Sequence, residues 1–233
     1  NITNMNTNKK NFLIVTLKEW NFKNFARIKK KNFFLIKRRR DFTLSKIKKI
    51  NPKFIFIPHW SFKIRSSIIN NFTCIGFHET NLPYGRGGSP IQNLIIRNKN
   101  KTKITAFVMN NFLDEGDIIM KRDLSLNGSA QNIFSRSSDL IFDMIKNIAC
   151  KKKLKTFKQR GRVTYFKRLK NNSIILPKDL NLKTLYDKIR MLDANTYERA
   201  YMLFSKKIKM QYSDAKLKNN RLYCKVIIKK IND

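Results

Sequence analysis

The chain is 233 residues long, and 51 Lys and Arg against 15 Asp and Glu give it a formal net charge of +36. Hydrophobic residues make up 42% and charged residues 28%, the balance of a chain that buries a core, which excludes a disordered or low-complexity segment. No apolar run has bilayer length and no secretory leader pattern is visible. Cys74, Cys150 and Cys224 lack CxxC spacing and are odd in number, which excludes a disulfide scaffold and suits a reducing, cytoplasmic setting.

Part of the charge is background, because Lys, Asn, Ile and Phe are abundant together while Gly and Pro are scarce. The sign remains informative. A field this positive attracts polyanions, whether RNA, nucleotide phosphates or a polyglutamylated cofactor.

In chain order, residues 1–10 read as a disordered lead-in. Phe12-Leu13-Ile14-Val15-Thr16 and Phe33-Phe34-Leu35-Ile36 are apolar runs of strand type, with a basic helix over 20–30 between them. The charge run at 37–40 reads as a solvated loop. Thr43 caps a short helix through Ile47 and Ile50, which Asn51-Pro52 stops. A strand at 54–57 ends in Pro58-His59-Trp60-Ser61, and a brief helix at 64–70 precedes another strand at 73–78. Short apolar strands alternating with helices predict parallel βαβ units.

Pro90 opens a helix with Ile91, Leu94 and Ile95 on one face, and strands at 105–109 and 118–121 flank a loop at 113–117. Ser129 caps a longer helix whose stripe is Ile133, Leu140, Ile141, Met144, Ile145 and Ile148. Residues 151–162 are basic, poorly patterned and read as a linker. Beyond them come a helix at 182–192, with Leu185, Ile189 and Leu192 inward, and strands at 207–212 and 222–228 around Asn219-Asn220. The fold class is α/β: a mostly parallel, Rossmann-like sheet with helices on both faces over 11–150, plus a small C-terminal α+β appendage at 163–233.

One stretch carries chemistry. It is Phe77-His78-Glu79-Thr80-Asn81-Leu82-Pro83-Tyr84-Gly85-Arg86-Gly87-Gly88-Ser89-Pro90, answered downstream by Leu113-Asp114-Glu115-Gly116-Asp117. The chain has only two histidines, and His78 closes a strand at the sheet end where open α/β folds bind ligands. A lone histidine after a strand is ordinarily a core or edge residue, and a glycine turn ordinarily only a turn. Two motifs agreeing in content and interval outweigh that reading.

The pair resembles the signature of the formyltransferases that use 10-formyltetrahydrofolate: Asn-x-His-x-x-Leu-Leu-Pro-x-x-Arg-Gly-x-x-Pro, then Leu-Asp-x-Gly-Asp. The resemblance covers about residues 11–150 and is specific over 77–117. It implies 10-formyltetrahydrofolate as co-substrate, no metal, and His78 and Asp114 as the catalytic pair. Trp60 and Ser61 in one turn, with Met109 and Leu113 before the aspartate, would line the folate. Asn81, Pro83, Arg86, Gly87 and Pro90 match the turn toward the acceptor, its glycines admitting close backbone approach to a ligand.

One family residue is missing, because the Asn two positions before the histidine falls on Gly76. Losing one oxyanion donor typically costs about 2.7–4 kcal/mol of barrier. His59, placed with the catalytic set, is the first candidate to replace it; Ser61 and Asn81 are the others.

Only 71 residues follow Arg162, short beside the barrel of roughly a hundred residues in initiator-tRNA formyltransferases, an ordinary domain size. Tyr165-Phe166-Lys167-Arg168 and the glycine-rich turn are similar to sugar-directed members. The expected acceptor is therefore an amino-sugar nucleotide. Initiator tRNA is the second reading, carried by the charge, and purine-precursor formylation the third. A non-catalytic nucleotide- or RNA-binding module is the reading Gly76 favours, and a homodimer is left open.

Overall fold

The computed structural model describes residues 10–28, 31–169, 174–195 and 197–231. Residues 1–9 of the expected lead-in at 1–10 and the last two residues of the first expected helix lie outside them. The apolar runs become β1 (Asn11–Val15), β2 (Phe33–Ile36), β3 (Pro52–Ile57) and β4 (Cys74–His78). With β6 (Lys101–Val108) and β7 (Ile118–Ser125) they form a six-stranded sheet in the order β2-β1-β3-β4-β6-β7. The pairings β1–β2, β1–β3 and β3–β4 are parallel, and β4–β6 is antiparallel. Leu13, Ile14, Val15, Ile55 and Phe56 are fully buried, as expected of strands covered on both faces, which therefore read as unbroken apolar runs. The mainly parallel α/β expectation holds, with β6 reversing direction.

Two compact units divide the residues: one runs to His78 and includes 105–121 and 138–160; the other holds 79–104, 122–137 and 161 onward. In the first, α1 (Glu19–Ile28), α2 (Leu44–Ile50) and α3 (Ser66–Ile69) connect the strands. Thr43 caps α2 as expected, its hydroxyl accepting from Lys46 N at 3.3 Å, and Asn51 ends the helix in the left-handed region at φ 47°. Leu13, Val15, Ile36, Ile47, Ile55, Ile57 and Ile68 pack around Cys74. Burial pushes that thiol up to about 12, so Cys74 is inert packing. The segment read as a linker is partly ordered into this unit: Phe157 and Ile118 exchange backbone hydrogen bonds of 3.0 and 2.8 Å. Basic composition hid that bridge, since a two-residue pairing leaves no period in the sequence.

In the second unit, β5 (Arg86–Gly87) pairs in parallel with β8 (Tyr165–Phe166). Pro90 starts α4 (Pro90–Ile96), which buries Ile91, Leu94 and Ile95. The long α5 (Ala130–Ala149) belongs to this unit only as far as Ser137 and to the first unit beyond it; it buries Ile133, Ile141, Met144, Ile145 and Ile148, and Ser129 accepts from Asn132 N at 3.3 Å. Asn181 caps α6 (Leu182–Arg190) by accepting from Thr184 N at 2.8 Å. Near the end of α6, Asp187 and Arg190 form a buried pair at 2.6 Å. The second sheet has the order β11-β10-β9, with β9 (Tyr201–Ser205), β10 (Ile208–Lys218) and β11 (Arg221–Lys230) antiparallel. The sequence showed no β9, whose exposed residues carry no clean alternation. Asn219 and Asn220 both have positive φ, 49° and 55°, the conformation a two-residue hairpin turn requires.

Candidate active site

The chemistry gathers where parallel strands end. β1 is followed by Thr16, β3 by His59, and β4 closes on His78, all at carboxyl ends, where open sheets of this kind bind ligands. His78 is buried, and across the antiparallel pairing it faces Thr105 of β6. Asp114 lies in the loop from β6 to β7 with φ 53°, a conformation that Asp tolerates better than most residues. That loop is held from several sides. Asn110 Oδ1 accepts from Phe112 N at 3.0 Å, and Gln159 Nε2 donates to the Asp114 and Gly116 carbonyls at 2.8 and 2.9 Å. Lys158 pairs with Asp117 at 3.0 Å.

The loop returns Asp114 to His78, with Nδ1 and Oδ2 3.7 Å apart. That is ion-pair range and just beyond hydrogen-bond reach. The two residues singled out by sequence thus meet. Gln159 was invisible to sequence reasoning, lying inside the segment read as a linker.

His59 is anchored differently. Trp20 Nε1 donates to its Nδ1 at 3.3 Å, and the Asn21 carboxamide lies 3.1 Å from the same nitrogen. With Nδ1 accepting, a neutral ring carries its proton on Nε2. Behind it runs a buried polar network. Asn21 donates to Thr16 Oγ1 at 2.6 Å, Ser138 donates to Asn21 Oδ1 at 2.8 Å, and Asn24 donates to Ser138 at 2.9 Å. None of these residues stood out in the sequence, where isolated polar side chains follow no period.

Of the expected folate-lining residues, Trp60 packs edge-on against Phe42 and Phe62, with centroids 5.6 and 5.7 Å away. Its indole N–H is buried without an acceptor among the described residues. Met109 is half-buried and packs against the same core, its backbone N–H bonded to Cys74 O at 2.8 Å. Ser61 is exposed, and Leu113 is 61% exposed. Among the described residues no cluster of three or more His, Cys, Asp or Glu could hold a metal, and no helix is long and apolar enough to cross a membrane.

The turn residues lie in the second unit. Pro83 and Arg86 are buried, Asn81 is exposed, and Arg86 Nη1 reaches Tyr165 Oη at 3.4 Å. The glycines do admit close backbone approach, but to the chain itself. A Cβ at Gly87, with φ 104°, would stand 2.5 Å from Phe166 O, and one at Gly88 would stand 2.7 Å from Arg168 Cα. These glycines let β5 lie against β8. Gly87→Ala is expected to lower stability by about 1–3 kcal/mol, read by denaturant unfolding; an unchanged midpoint would mean the pairing tolerates a side chain there.

A family model described as "Methionyl-tRNA formyltransferase, C-terminal domain" matches residues 170–229. A methionyl-tRNA formyltransferase of Sulfurimonas denitrificans is 31% identical over 111 residues, 45% of this chain and 37% of that protein. The match thus spans well under half the length of that relative. A solved methionyl-tRNA formyltransferase from Clostridium thermocellum is 43% identical, with a TM-score of 0.91 over 95% of this chain and 99% of that one. A sugar N-formyltransferase from a Shewanella species has a TM-score of 0.65 over 88% of this chain and 96% of that one, at 18% identity, a likeness of fold alone. By the Clostridium match, which runs through nearly all of both molecules, the chain belongs to the formyltransferase family.

Proposed function

We propose that the chain transfers a formyl group from 10-formyltetrahydrofolate to the amine of methionyl-tRNA. The observation that carries this reading is the meeting of His78 and Asp114 at the end of β4, in a chain so close to a methionyl-tRNA formyltransferase. The amine attacks the formyl carbon, a C–N bond forms, and the carbonyl oxygen becomes an oxyanion. His78 takes the amine proton at Nε2, the ring nitrogen turned away from Asp114, whose carboxylate orients the ring and balances its charge. The oxyanion then collapses, the bond to N10 of the folate breaks, and N10 leaves with the proton from His78 as tetrahydrofolate. Gly76 offers no donor to the oxyanion, and His59, with its proton on Nε2 and its ring tied to α1, takes that task. The indole N–H of Trp60 is suited to an acceptor atom of the pterin.

The amino-sugar nucleotide expected from the short tail is now the weaker acceptor. That argument assumed a large barrel, whereas the family model for the C-terminal domain fits within residues 170–229. The field of +36 also favours the more highly charged acceptor. The deciding experiment incubates the purified chain with 10-formyltetrahydrofolate and either methionyl-tRNA or amino-sugar nucleotides. Formylmethionyl-tRNA is expected; product from the sugar alone, or binding without product, would overturn the proposal.

A further inference from the structure

We infer that Phe107 is the positioning residue that sets the separation of His78 and Asp114, its ring acting as a wedge between two glycines that flank the pair; the inference rests on the formyl-transfer reading above. Phe107 is 3% exposed and pairs directly with Gly76 across β4 and β6. A Cβ at Gly76 would meet its ring carbons at 2.7 and 2.8 Å. A Cβ at Gly116 would stand 3.2 Å from the same ring and 1.6 Å from Val108 O.

Gly76 precedes His78 by two residues, so by strand alternation both lie on one face of β4. Gly116 follows Asp114 by two in the returning loop. The phenyl ring therefore touches both the strand that carries the imidazole and the loop that carries the carboxylate. Its thickness fixes how near they come. The same contact accounts for the departure at position 76. A carboxamide there would need the volume the ring fills, so Gly76 and Phe107 form one exchange, an apolar spacer in place of a polar side chain.

Phe107→Leu keeps an apolar side chain but thins the wedge. A misplacement of about 1 Å costs on the order of 100-fold, and a fall of that order in kcat is expected, with KM for 10-formyltetrahydrofolate little changed. The ring nitrogen resonances of His78 are expected to move as well. Phe142→Leu, at an equally buried site in α5, is the stability control: it is expected to lower Tm comparably while leaving kcat and those resonances in place. A second variant set tests the shared volume. Gly76→Asn alone is expected to lower Tm, and adding Phe107→Ala is expected to recover part of the loss.

Phe107→Leu with unchanged kcat and unchanged His78 resonances would overturn the inference, as would a Gly76→Asn chain that Phe107→Ala only destabilises further. If the parent chain forms no formylated product, the proposed function fails, yet the His78 resonances still decide the role of Phe107.

Discussion

Replacing His78 by Asn is expected to lower kcat for formyl transfer by about 10²–10⁴-fold, the usual contribution of a positioned general base. The side chain is buried at the end of β4 and stands 3.7 Å from Asp114, so an amide of similar width can fill the space without accepting the amine proton. Folding should survive, because the strand's register is set by backbone pairing with β3 and β6. Asp114→Asn is the companion test. Asn also tolerates the positive φ of this position, and the Gln159 bonds to the loop go to backbone carbonyls that the change leaves intact. A loss of kcat with KM retained is therefore expected from removal of the charge alone. Steady-state formylation of methionyl-tRNA with both variants is the measurement. Parent-like turnover by His78→Asn would take the imidazole out of the mechanism.

Asp187→Ala is expected to cost about 3–5 kcal/mol of unfolding free energy, the usual consequence of stripping one partner from a buried ion pair. Arg190 is buried, bonded to Asp187 at 2.6 Å, and also donates to the carbonyls of Leu126 and Gly128 at 2.6 and 2.9 Å. Without the carboxylate, the guanidinium keeps its two carbonyls but holds an uncompensated charge away from water. Lys183, which also contacts Asp187, carries the same charge as Arg190 and cannot balance it. Urea unfolding compares the variant with the parent, and a loss below 1 kcal/mol would indicate that water reaches the guanidinium after all.

The sequence disclosed most of what repeats and little of what converges. Strands β1, β3 and β4 were legible because unbroken apolar runs of that length have few other folded forms, and α2 because Thr43 and Asn51 mark its ends. His78 and Asp114 were legible because a motif fixes residue type and interval together. Gln159, Asn21 and Ser138 were not, since each matters through partners dozens to more than a hundred positions away, and isolated polar residues have no period. The glycines show the limit in another form. Position 76 read as a loss and position 87 as room for a ligand, and nothing in the sequence pointed to the neighbour from a distant strand that each accommodates, Phe107 and Phe166.

The hairpin of β10 and β11 carries cations on both of its faces. Met210, Tyr212, Val226, Ile228 and Lys230 share one face, while Lys209, Gln211, Ser213, Lys225, Ile227 and Lys229 share the other. β11 is also the outer strand of its sheet, with backbone groups on its open margin. Cations spaced along that margin repel an identical margin approaching from another molecule, and the repulsion fades once dissolved ions shorten its reach to about 3 Å near 1 M. Self-association of the chain is accordingly expected to rise with salt while its hold on polyanions falls, which light scattering and binding to RNA over one salt series would read.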